Sequence, residues 1–145
     1  MKNKHAGEIH RINHMASELH SIYHLSSLKF GISDSVSTVL YAICVRGNEC
    51  MLCDVYKNSG ISKQTVNSAI RCLEADGIVY LKQVNGRSKK IVLTSKGQEF
   101  VKNTVARLYQ AEHSAFESWT DEEIDMYLRL IEKYNSCLRE QIEKL

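Results

Sequence analysis

The chain has 145 residues and a formal net charge of +2, a length that fits one domain burying about two-thirds of the surface its unfolded form exposes. No apolar run is long enough to span a bilayer, no signal-peptide core follows the polar start at residues 1–8, and no Gly/Ser-rich linker breaks the sequence. A cytoplasmic protein with no membrane partner is therefore expected, and five cysteines without the spacing of a disulfide framework agree with a reducing compartment.

In chain order, residues 8–29 place Ile9, Ile12, Ala16, Leu19, Ile22 and Tyr23 at three- and four-residue spacing, which predicts an amphipathic helix. His10 and His14 are four apart, as are His20 and His24, and all four fall within about 120° of one helix face. Such pairs are candidate zinc ligands, but a site needs further donors, for which only His113 or a second chain presents itself. The simpler reading is a polar face beside the apolar stripe. Residues 33–46 predict a second helix, with Ser33 and Asp34 as caps.

Cys50 and Cys53 form a lone C-x-x-C near Cys44, while Cys72 and Cys137 lie far apart. A structural zinc site would want a second pair and a redox motif a βαβ setting, so small buried hydrophobes are the plainer expectation. Cys72 is a candidate oxidation switch only if it lies beside a binding surface.

Residues 53–77 carry two short helical patterns separated by Ser59-Gly60-Ile61. Val55, Ile61, Val66, Ile70 and Leu73 recur at offsets that pack two helices across a sharp turn, which predicts a helix-turn-helix. Ser62 is the expected N-cap of the second helix, residues 63–76, and Gly77 its stop. Strand-forming residues 78–83 and 89–93 flank Asn85-Gly86, a dipeptide that tolerates the positive φ of tight hairpin turns, with Arg87, Lys89 and Lys90 at or near the tip. Thr94 should then cap a helix over residues 97–117. Thr120-Asp121-Glu122-Glu123 reads as a capping box opening a last helix through Ile124, Tyr127, Leu128, Ile131, Tyr134, Leu138 and Ile142, with Trp119 packed at the joint.

Charge is segregated along this order. Residues 57–96 hold eight basic and two acidic side chains, a net of +6, whereas residues 112–145 hold nine acidic and four basic, a net of −5. One part is suited to phosphate and the other is not. No catalytic constellation stands out: the acids at 121–123 suit a helix N-terminus, and scattered Ser, His and Asp are no triad. A non-enzymatic protein without cofactor is expected.

The helix-turn-helix followed by N-G-R-S-K-K-I-V-L-T-S-K-G, residues 85–97, resembles the MarR family of bacterial transcription regulators over nearly the whole chain. Arg87 matches the family's minor-groove arginine, and Leu93, Thr94 and Gly97 its strand end and helix start. Asn85 departs from the family's aspartate, so any support for the wing arginine would be a neutral hydrogen bond, roughly half as strong as an ion-paired one. The resemblance implies a mainly α fold with a small β-hairpin wing. One domain, residues 1–145, would comprise a winged-helix core over residues 33–96 flanked by dimerisation helices over 5–30 and 97–145. Relatives that sense peroxide use a cysteine in the first helix, where this chain has none.

The expected function is a DNA-binding regulator, a repressor, that binds a pseudopalindromic operator as a homodimer and is released by a small-molecule effector. Ser62, Lys63, Gln64, Thr65, Asn67, Ser68 and Arg71 would face the major groove: Gln64 and Asn67 suit adenine, Arg71 or Lys63 guanine or phosphate, and Ser62 and Thr65 phosphate. Arg87 would enter the minor groove with Lys89 and Lys90 over phosphates. The alternatives are a metal- or thiol-responsive regulator, and a winged helix that binds protein instead of DNA.

Overall fold

The computed structural model describes residues 4–145. The elements are α1 (Ala6–Phe30), α2 (Asp34–Cys44), β1 (Glu49–Met51), α3 (Leu52–Asn58), α4 (Lys63–Ala75), β2 (Val79–Asn85), β3 (Ser88–Leu93), α5 (Ser95–Asn103), α6 (Val105–Phe116) and α7 (Asp121–Ile142). They fall into two compact units, one ending at Tyr109 and the other starting at Gln110.

In the first unit, α2, α3, α4 and the sheet enclose one core of Val39, Leu40, Ile43, Val55, Val66, Ile70, Leu73, Ile78, Ile91 and Leu93, extended by Val101 and Val105. Each large aliphatic side chain buried there contributes roughly 1.5–3 kcal/mol relative to exposure. The expected seam of the helix-turn-helix is present: Val55, Val66, Ile70 and Leu73 are buried and Ile61 packs against them. The helices begin where the caps predict. Ser33 accepts from the Val36 backbone N–H, Ser62 from that of Thr65 and Thr94 from that of Gly97.

The hairpin pairs Val79 with Leu93, Leu81 with Ile91 and Gln83 with Lys89. Its turn differs from expectation by one position. Asn85 is paired with Ser88 after a register irregularity, and among described residues no non-glycine has positive φ, while Gly86 has φ +45°. Gly86 and Arg87 are therefore the two central residues, a turn with glycine first rather than one with positive φ at both positions. The sheet also has a third strand that periodicity did not predict, since β1 is only three residues long; it pairs with the far side of β3, Cys50 opposite Ile91.

The single helix expected over residues 97–117 is two helices. At Thr104 (φ −125°, ψ −101°) the backbone leaves the helical region, the Thr104 N–H donates to Val101 O, and its hydroxyl donates to Phe100 O at 2.7 Å. The side chain thus satisfies the carbonyl that the break would orphan, while Val101 and Val105 stay in the core on either side.

Thr94 ties three segments together. Its hydroxyl donates to Gly77 O (2.6 Å), its N–H donates to Ile78 O (3.0 Å), and its Oγ1 accepts from the Gly97 N–H (2.9 Å). Thr94→Ala should cost about 1–2 kcal/mol, the usual loss of a cap together with a stranded carbonyl, and Thr94→Ser should recover most of it. Urea midpoints for the two variants provide the check; equal losses would mean that the methyl group, not the hydroxyl, matters.

In the second unit, α7 opens with a full capping box, Thr120 Oγ1 accepting from the Glu123 N–H and Glu123 Oε2 from the Thr120 N–H. Trp119 sits at the joint as expected, edge-on to Phe116 (5.1 Å) and Tyr127 (5.4 Å).

Candidate nucleic-acid interface

The amphipathic pattern of α4 turns Val66, Ala69, Ile70 and Leu73 into the core and leaves Ser62, Lys63, Gln64, Thr65, Ser68 and Arg71 exposed. Gln64, Ser68 and Arg71 follow one another at four- and three-residue steps, so they form one outward row. Ser62 and Thr65 stand at the helix start with their hydroxyls 2.7 Å apart, where the free N–H groups and the helix dipole favour a phosphate.

Two members of the set are held from below by Tyr56 of α3, a residue that sequence reasoning did not single out. Tyr56 Oη donates to Asn67 Oδ1 at 2.5 Å, and Lys63 Nζ lies 4.9 Å from the centroid of the Tyr56 ring, within cation–π range. Asn67 is accordingly half-buried. Tyr56 and Asn67 lie eleven positions apart, and no local periodicity links them across the turn.

On the wing, Arg87 occupies the turn and is exposed, as is Lys89. Gln83 Nε2 donates to Gly86 O across the turn, bracing the tip from the backbone. Arg87 has no ion pair among the described residues, in keeping with Asn85 in place of an aspartate. Lys90 differs from Lys89: its Nζ is 2.5 Å from Glu49 Oε1 of β1. The Lys90 hydrogen bond and charge hold the Glu49 carboxyl below its ordinary range, so this lysine brings less free charge than its neighbour. Glu49 was likewise not foreseen, because the strand carrying it was not.

His10, His14, His20 and His24 are all exposed along α1. Among the described residues no three His, Cys, Asp or Glu side chains gather as a metal set. His24 instead has a carboxylate partner, its Nδ1 lying 2.8 Å from Asp34 Oδ2; hydrogen bonds from Ser27 and then His24 hold Asp34 below the usual carboxylate range. The expectation of buried cysteines holds for Cys50, whose thiol burial pushes up to about 11, and in part for Cys44, raised by the same cause. Cys53, Cys72 and Cys137 are exposed, the first two on helices whose buried faces lie elsewhere and the third on α7, none of whose residues is buried. A thiol at about 11 is protonated at neutral pH and a poor nucleophile.

Within the first unit a cleft of about 600 Å³ opens beside α5, with Phe30 and Phe100 among its walls, Lys29, Lys96 and Arg107 as its cations and Glu99 as its acid. No helix among the described residues is long and apolar enough to cross a membrane.

The architecture is thus a winged helix-turn-helix with long helices before and after it. No family model matches the chain, and no curated protein does. Solved structures match over most of its length. The chain resembles NMB1585, a MarR family regulator from Neisseria meningitidis, with a TM-score of 0.83 at 12% identity, covering 94% of this chain and 97% of that one. It also resembles a putative MarR family transcriptional regulator from Listeria monocytogenes complexed with 26mer DNA (TM-score 0.69, 22% identity, 97% and 92% covered). A third is NadR in complex with 4-hydroxyphenylacetate (0.71, 15%, 92% and 96%). The fold is that of the MarR family regulators.

Proposed function

We propose that the chain is a DNA-binding transcriptional regulator of the MarR type rather than an enzyme. It acts in the cytoplasm as a homodimeric repressor on a pseudopalindromic operator, and a small-molecule effector releases it. The observation that carries this reading is the exposed row Gln64, Ser68 and Arg71 on α4 together with an exposed arginine at the wing tip that has no ion pair among the described residues. The helix would read base edges in the major groove, and Arg87 would enter the minor groove, where narrow A·T-rich segments attract arginine. Ser62, Thr65 and Lys89 would anchor phosphates, with Lys63 and Asn67 oriented by Tyr56.

Pairing is supported by apolar surface that each unit leaves uncovered: Met15, Leu19, Ile22 and Leu28 on α1, and Leu128, Leu130, Ile131 and Leu138 on α7. Two-fold symmetry would set two α4 helices in successive major grooves. An effector is supported by the cleft with aromatic walls and three cations against one carboxylate, Glu99, a net positive lining that suits an anionic aromatic molecule, and by NadR's complex with 4-hydroxyphenylacetate. Such a ligand acts only through unequal affinity for the DNA-competent and released spacings of the recognition helices.

Fluorescence anisotropy with duplex from upstream of the chain's own gene, beside a scrambled duplex at two salt concentrations, tests the reading. Sequence-selective binding that weakens by roughly a thousandfold or more between about 50 and 200 mM salt is expected. Arg87→Ala should weaken it about ten- to hundredfold and reduce the salt slope by about one. Equal, feeble binding to both duplexes, indifferent to Arg87, would move the assignment to a protein-binding winged helix.

A further inference from the structure

Resting on the DNA-binding reading above, we propose that Tyr56 is a specificity-determining residue: its hydroxyl locks the Asn67 amide oxygen inward, so that α4 reads guanine where a free asparagine would read adenine. Asparagine recognises adenine bidentately, Oδ1 accepting from the N6 amino group while Nδ2 donates to N7. Here Oδ1 accepts from Tyr56 Oη at 2.5 Å, which takes one of its two lone-pair sites and ties the oxygen to α3, and Asn67 is half-buried; in the proposal Nδ2 is therefore the amide group that meets the base edge. A donor alone matches the paired acceptors N7 and O6 of guanine and opposes the amino group of adenine. Tyr56 itself stays off the DNA, held by α3 and by the lysine over its ring, where Lys63 Nζ is 4.9 Å from the centroid. It is a positioning residue that acts through Asn67.

Tyr56→Phe separates the hydroxyl from the ring: the surface for Lys63 is kept and only the hydrogen bond to Asn67 is lost. Selection from a randomised duplex library, carried out with the wild type, Tyr56→Phe, Asn67→Ala and the double variant, reads the consequence base pair by base pair. The wild type should enrich guanine at one pair in each half-site. Tyr56→Phe should move the guanine-to-adenine ratio at that pair by about tenfold or more toward adenine, with other positions and salt slope unchanged and the thermal midpoint lowered by no more than a few degrees, the loss of one hydrogen bond. Asn67→Ala should flatten preference at the same pair, and adding Tyr56→Phe to it should then change nothing.

A wild-type selection without any enriched sequence would sink the regulator reading, and this proposal with it. An enriched wild-type motif that Tyr56→Phe leaves intact would overturn this proposal alone, as would a variant whose preferences flatten at every position together with a larger drop in midpoint, the mark of a merely structural tyrosine.

Discussion

Gly97→Ala is expected to lower stability by about 3 kcal/mol or more, at the upper end for overpacking. A Cβ at this position would stand 2.0 Å from the Ile78 carbonyl oxygen and 3.0 Å from its carbon. Both are backbone atoms, so no side chain can swing aside. The same carbonyl accepts from the Thr94 N–H, and the Gly97 N–H in turn donates to Thr94 Oγ1; moving α5 outward would loosen both bonds and draw Leu93 and Val101 from the core. Equilibrium urea unfolding of the two proteins measures the loss. Gly7→Ala makes the control: it lies in α1, where an added methyl group would meet nothing within 4 Å, so alanine there should be neutral or stabilise by roughly 0.5–1 kcal/mol. A loss below about 1 kcal/mol at Gly97 would mean that α5 can shift without breaking the Thr94 junction.

Ile131→Glu combined with Leu138→Glu should convert the proposed homodimer to monomers at micromolar concentration. The two positions are seven apart on α7 and so lie on one stripe; they are 40% and 44% exposed in the chain by itself, and no residue of α7 is buried. Glutamates at exposed sites of a lone chain cost little, whereas in a two-fold apolar seam each would be a buried charge without a partner. Sedimentation should therefore report half the mass while helical circular dichroism is kept. Operator affinity should fall by about 10²–10⁴, because the second half-site is no longer tethered to the first. A variant that remains dimeric would show that this face of α7 is not the pairing surface, and the pairing would have to be sought on α1.

Most of the secondary structure was legible from neighbours along the chain. Ser33, Ser62, Thr94 and Thr120 cap helices through contacts only three residues away, and Val55, Val66, Ile70 and Leu73 show their common seam in their spacing. The outward set on α4 follows from the same periodicity, since the face that does not enter the core must meet solvent or a partner. Arg87 was legible as a tip residue, although its place as the second central residue of the turn came only with the pairing of Asn85 and Ser88.

What the linear order left open depends on residues distant in sequence. The three-residue β1 has no pattern of its own and exists because β3 offers it an edge, which then brings Glu49 onto Lys90 across 41 positions. The break at Thr104 conserves the apolar spacing on both sides, so periodicity cannot register it; the deciding contact is a hydroxyl taking over one carbonyl. Tyr56 reaches Asn67 only because the turn folds α3 under α4. Capping, turns and amphipathic faces are short-range physics, written in residue type and spacing, whereas the occupancy of each polar side chain at the interface is settled by whichever partner the packed core brings within hydrogen-bond reach.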